Sequence, residues 1–308
     1  MRRDGLIKIA LTALFFIVLF SRLDLHELWS TLLSLNLKYL ILSMFFVPIL
    51  YIIRTYRWGV LLKSVGIEKI FVNLFKVLLI GVFYGLITPG KVGELSRAYY
   101  LDEKKSVTIS TILMEKLIDV FVLALLSIIT LIIFFHNNPI LTYVILISAF
   151  AAILSTWLFA NKRFLSLVTK LFKIKYEDVE IFTDSFSRLR KNRSAMSKTT
   201  FLAFLYYLVH YILAILMLYS MGANPFAVVT LPLIILMGNV PITISGLGMR
   251  ESIGAICFVL LGESGAQGFL FSLLLFFTIT LIPGIFGYLL TIKDKTMFAG
   301  NRRTGAIK

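Results

Sequence analysis

The chain has 308 residues, of which 59% are hydrophobic and 15% are charged, and its mean hydropathy is +0.92. A soluble domain cannot bury that much apolar surface, so these values exclude a soluble globular protein and predict an all-α, polytopic membrane protein. The net charge of +15 is then typical of basic cytoplasmic loops, and we expect no nucleic-acid partner.

The predicted elements of the first half, residues 6–135, are three spans, an interfacial helix, one broken segment and a short returning helix. In chain order they are a retained first span at 6–23, an amphipathic interfacial helix at 24–36, a span at 37–56, a broken segment at 70–87, a short returning helix at 92–104 and a long span at 107–135. Arg54, Arg57 and Lys63 are interpreted as the cytoplasmic end of the second span.

The second half, residues 140–292, has a similar order of elements. We predict a span at 140–160, a basic loop at 161–199, a span at 200–221, a broken segment at 226–242, a short returning helix at 252–261, a final span at 267–292 and a basic tail at 293–308. From Asn161 to Lys198 there are ten basic and four acidic residues, a net charge of +6. The positive-inside rule therefore predicts a multi-pass protein of the cell membrane with both termini in the cytoplasm.

The two halves pair element by element within a single membrane domain, residues 1–308. If both broken segments are re-entrant, each half crosses the membrane three times and the halves have opposite orientation. We therefore predict a helical bundle with about six full spans, two broken re-entrant segments and two inverted repeats, which is the organisation of many secondary transporters. Accidental similarity between apolar helices is the alternative.

The matched breaks are ITPGKVGELSR at 87–97 and ITISGLGMRE at 242–251. Broken backbone at membrane depth is tolerated where it is buried in protein or lines a water-filled cavity, so both stretches are candidates for lining a polar path. The residues expected to break the backbone are Pro89, Gly90, Gly93, Gly246 and Gly248.

Charged residues follow each break. Helix starts and cations both favour anions, so we predict that Lys91, Arg97 and Arg250 bind a lipid phosphate. Glu94 and Glu251 would balance charge or couple protons. The alternative is that these residues form structural ion pairs.

Glu115 and Asp119 lie on one helix face at i and i+4. They could balance charge, bind a metal, relay protons or pair with Arg97 or Arg250, and they could equally be solvated; the lack of a nearby histidine or further acids disfavours the metal. His210 lies within a span among tyrosines, for which a helix–helix hydrogen bond is the favoured interpretation.

The sequence contains one cysteine, Cys257, and no nucleophile elbow, Walker loop, HExxH motif or dinucleotide fingerprint. We therefore expect no metal, no cofactor and no catalytic residue, and a protein that is not an enzyme.

Three motifs in order, at 89–97, 115–119 and 246–251, resemble the flippase-like membrane domain of lysylphosphatidylglycerol synthases. The family patterns are P-G-x-x-G-E-x-x-R, E-R-x-x-D and G-x-G-x-R-E. Lys116 stands where the family usually has arginine, which keeps the charge but weakens bidentate contacts. We expect a stand-alone member without the soluble synthase domain.

The resemblance implies translocation of an anionic or aminoacylated phospholipid, or of a polyprenyl-phosphate-linked sugar, across the cytoplasmic membrane. The expected partners are membrane lipids with anionic headgroups, while a homo-oligomer is left open. Two rival functions are a membrane-embedded enzyme that uses Glu115 and Asp119, and a scaffold that recruits a glycosyltransferase through residues 161–199.

Overall fold

The computed structural model describes residues 24–88, 91–135, 139, 142–143, 176–239, 243 and 245–292. Within these ranges the secondary structure is helical and no strand is present, which confirms the predicted all-α class. The predicted span at 6–23, nearly all of the span at 140–160, residues 161–175 and the tail lie outside the described residues. Pro89 and Gly90 also lie outside them.

The helices are numbered here in chain order. They are α1 Leu25–Leu33, α2 Leu37–Met44, α3 Phe46–Ser64, α4 Phe71–Leu86, a first 3-10 helix Val92–Tyr99, α5 Lys105–Phe134, α6 Tyr176–Lys191, α7 Arg193–Ser220, a second 3-10 helix Pro225–Thr230, α8 Leu231–Gly238, α9 Met249–Leu260, α10 Gly265–Phe276, a π-helical turn Phe277–Leu281, and α11 at 282–292.

Four helical stretches of the described chain are long and apolar enough to cross a membrane. They are Leu37–Ser64, Lys105–Phe134, Arg193–Ser220 and Gly265–Ile292, of 28 to 30 residues each. At 1.5 Å per residue such helices are about 42–45 Å long. A bilayer core of about 30 Å is therefore spanned, and the protein is a multi-pass helical membrane protein.

The stretch from Leu37 to Ser64 bends at Phe45, between α2 and α3. Pro48 lacks an N–H, and its ring conflicts with the carbonyl of Met44 four residues earlier, which accounts for the break. Helix α3 then continues to Ser64, eight residues beyond the predicted end at residue 56. Arg54 and Arg57 consequently lie inside the helix and not at its end.

Helix α1 has the composition of an interfacial helix, as predicted. The Asp24 carboxylate caps it by accepting the amides of His26 and Glu27. Leu25, Trp29 and Leu33 are exposed on its surface, where an amphipathic helix lying in the headgroup region would bury them.

The first broken segment is a helical hairpin. After α4 the chain reverses, Lys91 adopts a left-handed conformation with φ of 57°, and the first 3-10 helix packs back along α4. The reversal requires glycine at position 93, because a Cβ there would lie 2.0 Å from the carbonyl oxygen of Tyr84. The Gly93 amide donates to the Thr88 hydroxyl at 2.7 Å.

The second broken segment is built in a similar way. Helix α9 returns against α8, and a Cβ at Gly246 would lie 2.2 Å from the carbonyl oxygen of Gly238. Gly246 and Gly248 both have positive φ, at 74° and 87°. Both hairpins therefore close by contact between a glycine and the preceding helix, while the inverted relation between the halves stays a prediction.

Helix α6 lies within the segment that the sequence analysis treated as a basic loop. Its apolar residues Phe182, Phe186 and Leu189 are buried against α5, and its Asp178 accepts a hydrogen bond from Ser106 at 2.9 Å. The segment thus contains a docked amphipathic helix, and its predicted cytoplasmic location stays a prediction.

The last membrane helix is interrupted by the π turn Phe277–Leu281 between α10 and α11. Before the turn, α10 packs closely on α9, since a Cβ at Gly268 would lie 2.3 Å from the carbonyl oxygen of Gly254. Within the turn, the Ile279 carbonyl accepts a hydrogen bond from the Tyr51 hydroxyl at 2.8 Å. A hydrogen bond therefore connects this π turn to α3.

Replacing Gly93 by alanine tests the first hairpin. The added methyl group would overlap the backbone of Tyr84, so we expect a loss of stability of about 1–3 kcal/mol. Gly59→Ala is the matched control, because its Cβ would meet only Leu74 at an ordinary 3.4 Å and alanine is the better helix former. The measurement is thermal unfolding in detergent; equal midpoints for the two variants would contradict the tight reversal.

Candidate functional site

A network of seven charged side chains lies between α3, the first 3-10 helix and α5. Its cations are Arg54, Arg57, Arg97 and Lys116, and its anions are Glu94, Glu115 and Asp119. Each of the three elements supplies at least two members, so the network joins the first hairpin to two membrane helices.

Glu115 is the centre of this network and has no solvent exposure. Its carboxylate accepts from Arg97 at 2.8 Å, from Arg54 at 3.2 Å and from Arg57 at 3.4 Å. Three guanidinium groups around one buried carboxylate strongly favour its ionised form in a medium of low dielectric constant.

Glu94 and Asp119 complete the network at its edges. Glu94 pairs with Arg54, with Lys116 at 2.6 Å and with Arg97 at 3.7 Å. Asp119 lies beside Arg57, whose Nη1 and Nη2 are 2.7 and 2.8 Å from the two carboxylate oxygens. Of these two contacts only the one from Nη2 is a hydrogen bond, because Nη1 of Arg57 and Oδ1 of Asp119 have no hydrogen-bond partner among the described residues.

Two glycines of α4 make room for the charged side chains of the 3-10 helix. A Cβ at Gly81 would lie 2.6 Å from Cγ of Arg97, and one at Gly85 would lie 3.0 Å from Cγ of Glu94. Since these glycines are four residues apart, they share one helix face. On its other side the Arg97 guanidinium lies 4.6 Å from the ring of Trp58.

A polar cavity adjoins the network. It consists of two neighbouring pockets, of about 90 and 280 Å³. Six residues line both pockets, namely Arg54, Lys91, Glu94, Tyr206, His210 and Ile235. The smaller pocket is also lined by Arg250 and Ser272, and the larger one by Lys116, Asp119 and Asn239. Residues from both hairpins thus meet at this cavity.

The cavity and its network carry an excess of positive charge. Four cations against three carboxylates leave a formal charge of +1, and Lys91, which forms no ion pair with any described residue, raises the formal sum to +2. Arg250 and Glu251 form a separate neutral pair at 2.6 Å. An anion in the cavity would therefore be stabilised by Coulomb attraction in a poorly screened environment.

Three buried polar atoms of residues that line the smaller pocket lack a hydrogen-bond partner in the described part of the chain. They are Nη2 of Arg250, Oγ of Ser272 and Nδ1 of His210. Buried donors without partners cost free energy, and native proteins usually satisfy them with protein, water or ligand. The Arg250 guanidinium also stacks on the Phe276 ring at 3.9 Å, which holds its plane in position.

The residues predicted from the sequence fall into two groups. Lys91, Arg250, Glu94 and Asp119 line the polar cavity. Arg97, Glu115 and Glu251 are fully buried and do not line it. Arg97 contacts Glu115, while Glu251 accepts the Gly248 amide at 2.6 Å and caps α9. The ion pairs weighed as the alternative are therefore present.

Arg54 and Arg57 are the site residues that sequence reasoning missed, because both were interpreted as the cytoplasmic end of a span. Their side chains are 12% and 1% exposed. A usable signal exists, since Tyr51, Arg54 and Trp58 follow one another at helical spacing and mark a polar face.

His210 differs from its favoured interpretation. No described residue forms the expected helix–helix hydrogen bond with it. Its ring instead lies parallel to that of Tyr207 at 6.4 Å and edge-on to that of Tyr206 at 5.8 Å. The free Nδ1 leaves a hydrogen-bonding atom beside the cavity.

Residues 5–287 match the family described as the lysylphosphatidylglycerol synthase TM region. A curated relative is the UPF0104 membrane protein MJ1595 of Methanocaldococcus jannaschii, 28% identical over 180 residues. That alignment covers 54% of this chain and 53% of the relative, so the chain spans about half the length of the curated relative it matches. No solved structure matches the chain.

Glu115→Gln tests the network. The amide leaves three arginines with one buried carboxylate fewer, and breaking a buried ion pair costs about 3–5 kcal/mol. We expect a lower unfolding midpoint in detergent, with partial recovery in Glu115→Gln/Arg97→Gln. As a control, Glu68→Gln removes an exposed pair with Lys63 and should leave the midpoint unchanged. A Glu115→Gln protein as stable as wild type would refute the central role of this carboxylate.

Proposed function

The chain belongs to the lysylphosphatidylglycerol synthase TM region family, and from this premise we propose that it is a flippase-type lipid translocase. Its substrate carries a phosphate in the headgroup. The proposed classes are an anionic or aminoacylated phospholipid and a polyprenyl-phosphate-linked sugar. We place its action in the cytoplasmic membrane, with both termini in the cytoplasm.

The observation that carries this proposal is the positively charged cavity at the meeting point of the two hairpins. Lys91 from the first hairpin and Arg250 from the second line the same pocket. Both side chains have donors to offer, because Lys91 forms no ion pair with a described residue and Nη2 of Arg250 has no acceptor among them, although its Nε contacts Glu251. A phosphate would supply acceptors to both.

The roles that we propose for the predicted residues follow their positions. Lys91 and Arg250 contact the phosphate directly, with Arg54 beside them. Arg97, which the sequence analysis assigned to the phosphate, acts instead through Glu115 by holding the network in place. Glu251 orients Arg250 through its contact with Nε.

Glu94 is our candidate for charge balance that changes during transport. It lines both pockets and contacts three cations of the network, so a phosphate entering the cavity would compete with it for those cations. Proton uptake by Glu94 would release them. Glu115 is less suited to this role, since it has no solvent exposure and does not line the cavity.

Transport is favoured over catalysis at Glu115 and Asp119 by the contacts of these two carboxylates. Glu115 accepts from three guanidinium groups and does not line the cavity, and Asp119 accepts a hydrogen bond from Arg57 at 2.8 Å and forms an ion pair with it. A general base must reach the proton that it takes from the substrate. Glu115 has no such access in this arrangement, and Asp119 is already paired with arginine.

Lipid scrambling in proteoliposomes tests the proposal. The scrambling rates of three labelled lipids, namely phosphatidylglycerol, its lysylated form and a polyprenyl phosphate, are measured with wild type and with Lys91→Gln/Arg250→Gln. Each lost charged hydrogen bond is worth about 1.5–3 kcal/mol, so we expect the double variant to move the transported lipid more than about tenfold more slowly.

The control for this assay is Lys38→Gln/Lys63→Gln, which removes two exposed lysines and the same total charge. Its rate should equal that of wild type. Folded wild-type protein that moves none of the three lipids, or a cavity variant that retains the full rate, would contradict the proposed function.

A further inference from the structure

A second, apolar cavity opens on the side of the bundle between α3, α4 and α11. We call it the side groove. Its volume is about 640 Å³, within the range of about 300–1,000 Å³ typical of ligand sites. Lys76 is the one charged residue in its lining, which is otherwise dominated by apolar side chains such as Val47, Leu79, Ile282 and Phe286.

The side groove adjoins the polar cavity along two structural elements. On α4, Leu79 lines the groove and Val82, one turn later, lines the cavity. On the π turn, Thr278 faces the groove, while Ile279 and Thr280 line the cavity. Tyr51 lines both. The two sites therefore adjoin each other at Tyr51.

Tyr51 lies between the two sites and lines both of them. Its hydroxyl donates to the Ile279 carbonyl in the π turn at 2.8 Å, and its side chain is almost fully buried. π-helical turns are rare and are frequent at functional sites. Their unusual hydrogen bonding leaves carbonyls available to partners outside the helix, as the contact with Tyr51 illustrates.

We propose that the side groove binds one hydrocarbon chain of the lipid whose phosphate occupies the polar cavity. The proposal deepens the proposed function and depends on it for the identity of the headgroup. The occupant follows from the chemistry of the two adjoining sites. Cations at one end, supplied by Lys91 and Arg250, and an apolar wall at the other match a single amphipathic anion.

The contribution of the groove is orientation more than affinity. A lipid chain that leaves the bilayer for the groove exchanges one apolar environment for another, so no hydrophobic driving force favours the transfer. The phosphate contacts must supply the preference. A neutral lipid with the same chain should therefore show no preference for the groove over the surrounding bilayer.

Photolabelling in lipid nanodiscs tests this dependence. Phosphatidylglycerol and diacylglycerol that carry the same diazirine in one acyl chain are each added at low mole fraction to phosphatidylcholine, and labelled peptides are identified by mass spectrometry. We expect roughly tenfold more groove labelling from the anionic probe, the ratio that corresponds to about 1.4 kcal/mol of added contact. Lys91→Gln/Arg250→Gln should abolish this excess.

A pair of variants on α11 supplies the steric control. Ile282→Trp fills the groove and should remove the excess labelling, whereas Ile285→Trp changes a similarly exposed residue that does not line it. Equal labelling by the two probes, an excess that survives in the cavity variant, or equal effects of the two tryptophans would overturn the proposal.

The labelling result is separable from transport. Scrambling by wild type without phosphate-dependent labelling would leave the translocase standing and remove the groove as a chain site. Phosphate-dependent labelling without scrambling would keep the groove and remove the translocase.

Discussion

Glu115 lies without solvent exposure among three guanidinium groups, and the surrounding helices are arranged to supply those groups. A charge at the centre of a bilayer costs about 2.5–3.5 kcal/mol even on the lenient insertion scale, so each member of the network needs partners. Meeting that need requires the long helix α3, the close return of the 3-10 helix and the absence of side chains at Gly81 and Gly85. The positive excess left over then faces the polar cavity.

Much of the site could be predicted from the sequence because charged residues and helix breaks cost free energy in a membrane. Glycine-rich breaks such as residues 87–97 and 242–251 are excluded from lipid-facing positions, so their presence indicates a polar centre. The short helices at both breaks, the reversal at Gly93 and the contact of Arg97 with Glu115 agree with that reasoning. The family resemblance is confirmed by the match over residues 5–287.

Other features depend on tertiary packing, which a single sequence does not reveal. Arg54 and Arg57 have the same appearance in the sequence whether they end a span or pair with carboxylates 40 to 62 residues away. The burial of α6 against α5 depends on Phe182 and Phe186. These residues lie in a segment whose high net positive charge favoured its interpretation as a loop. The sequence signals the π turn only through Pro283, which has no N–H to donate to the Ile279 carbonyl four residues earlier. The side groove, which depends on the turn and on Tyr51, could not be predicted because it is formed by tertiary packing.

The π turn at Phe277–Leu281 also has an evolutionary consequence. Such a turn accommodates one residue more than an α-helical turn, so the helical halves before and after it keep the same faces toward their neighbours. Loss of a single codon in this stretch would remove the extra residue, leave the contact between Gly254 and Gly268 in register, and displace the carbonyl that Tyr51 contacts. Insertion or deletion of a residue in the π turn can therefore alter the wall between the two cavities, while the packing of the other helices is kept.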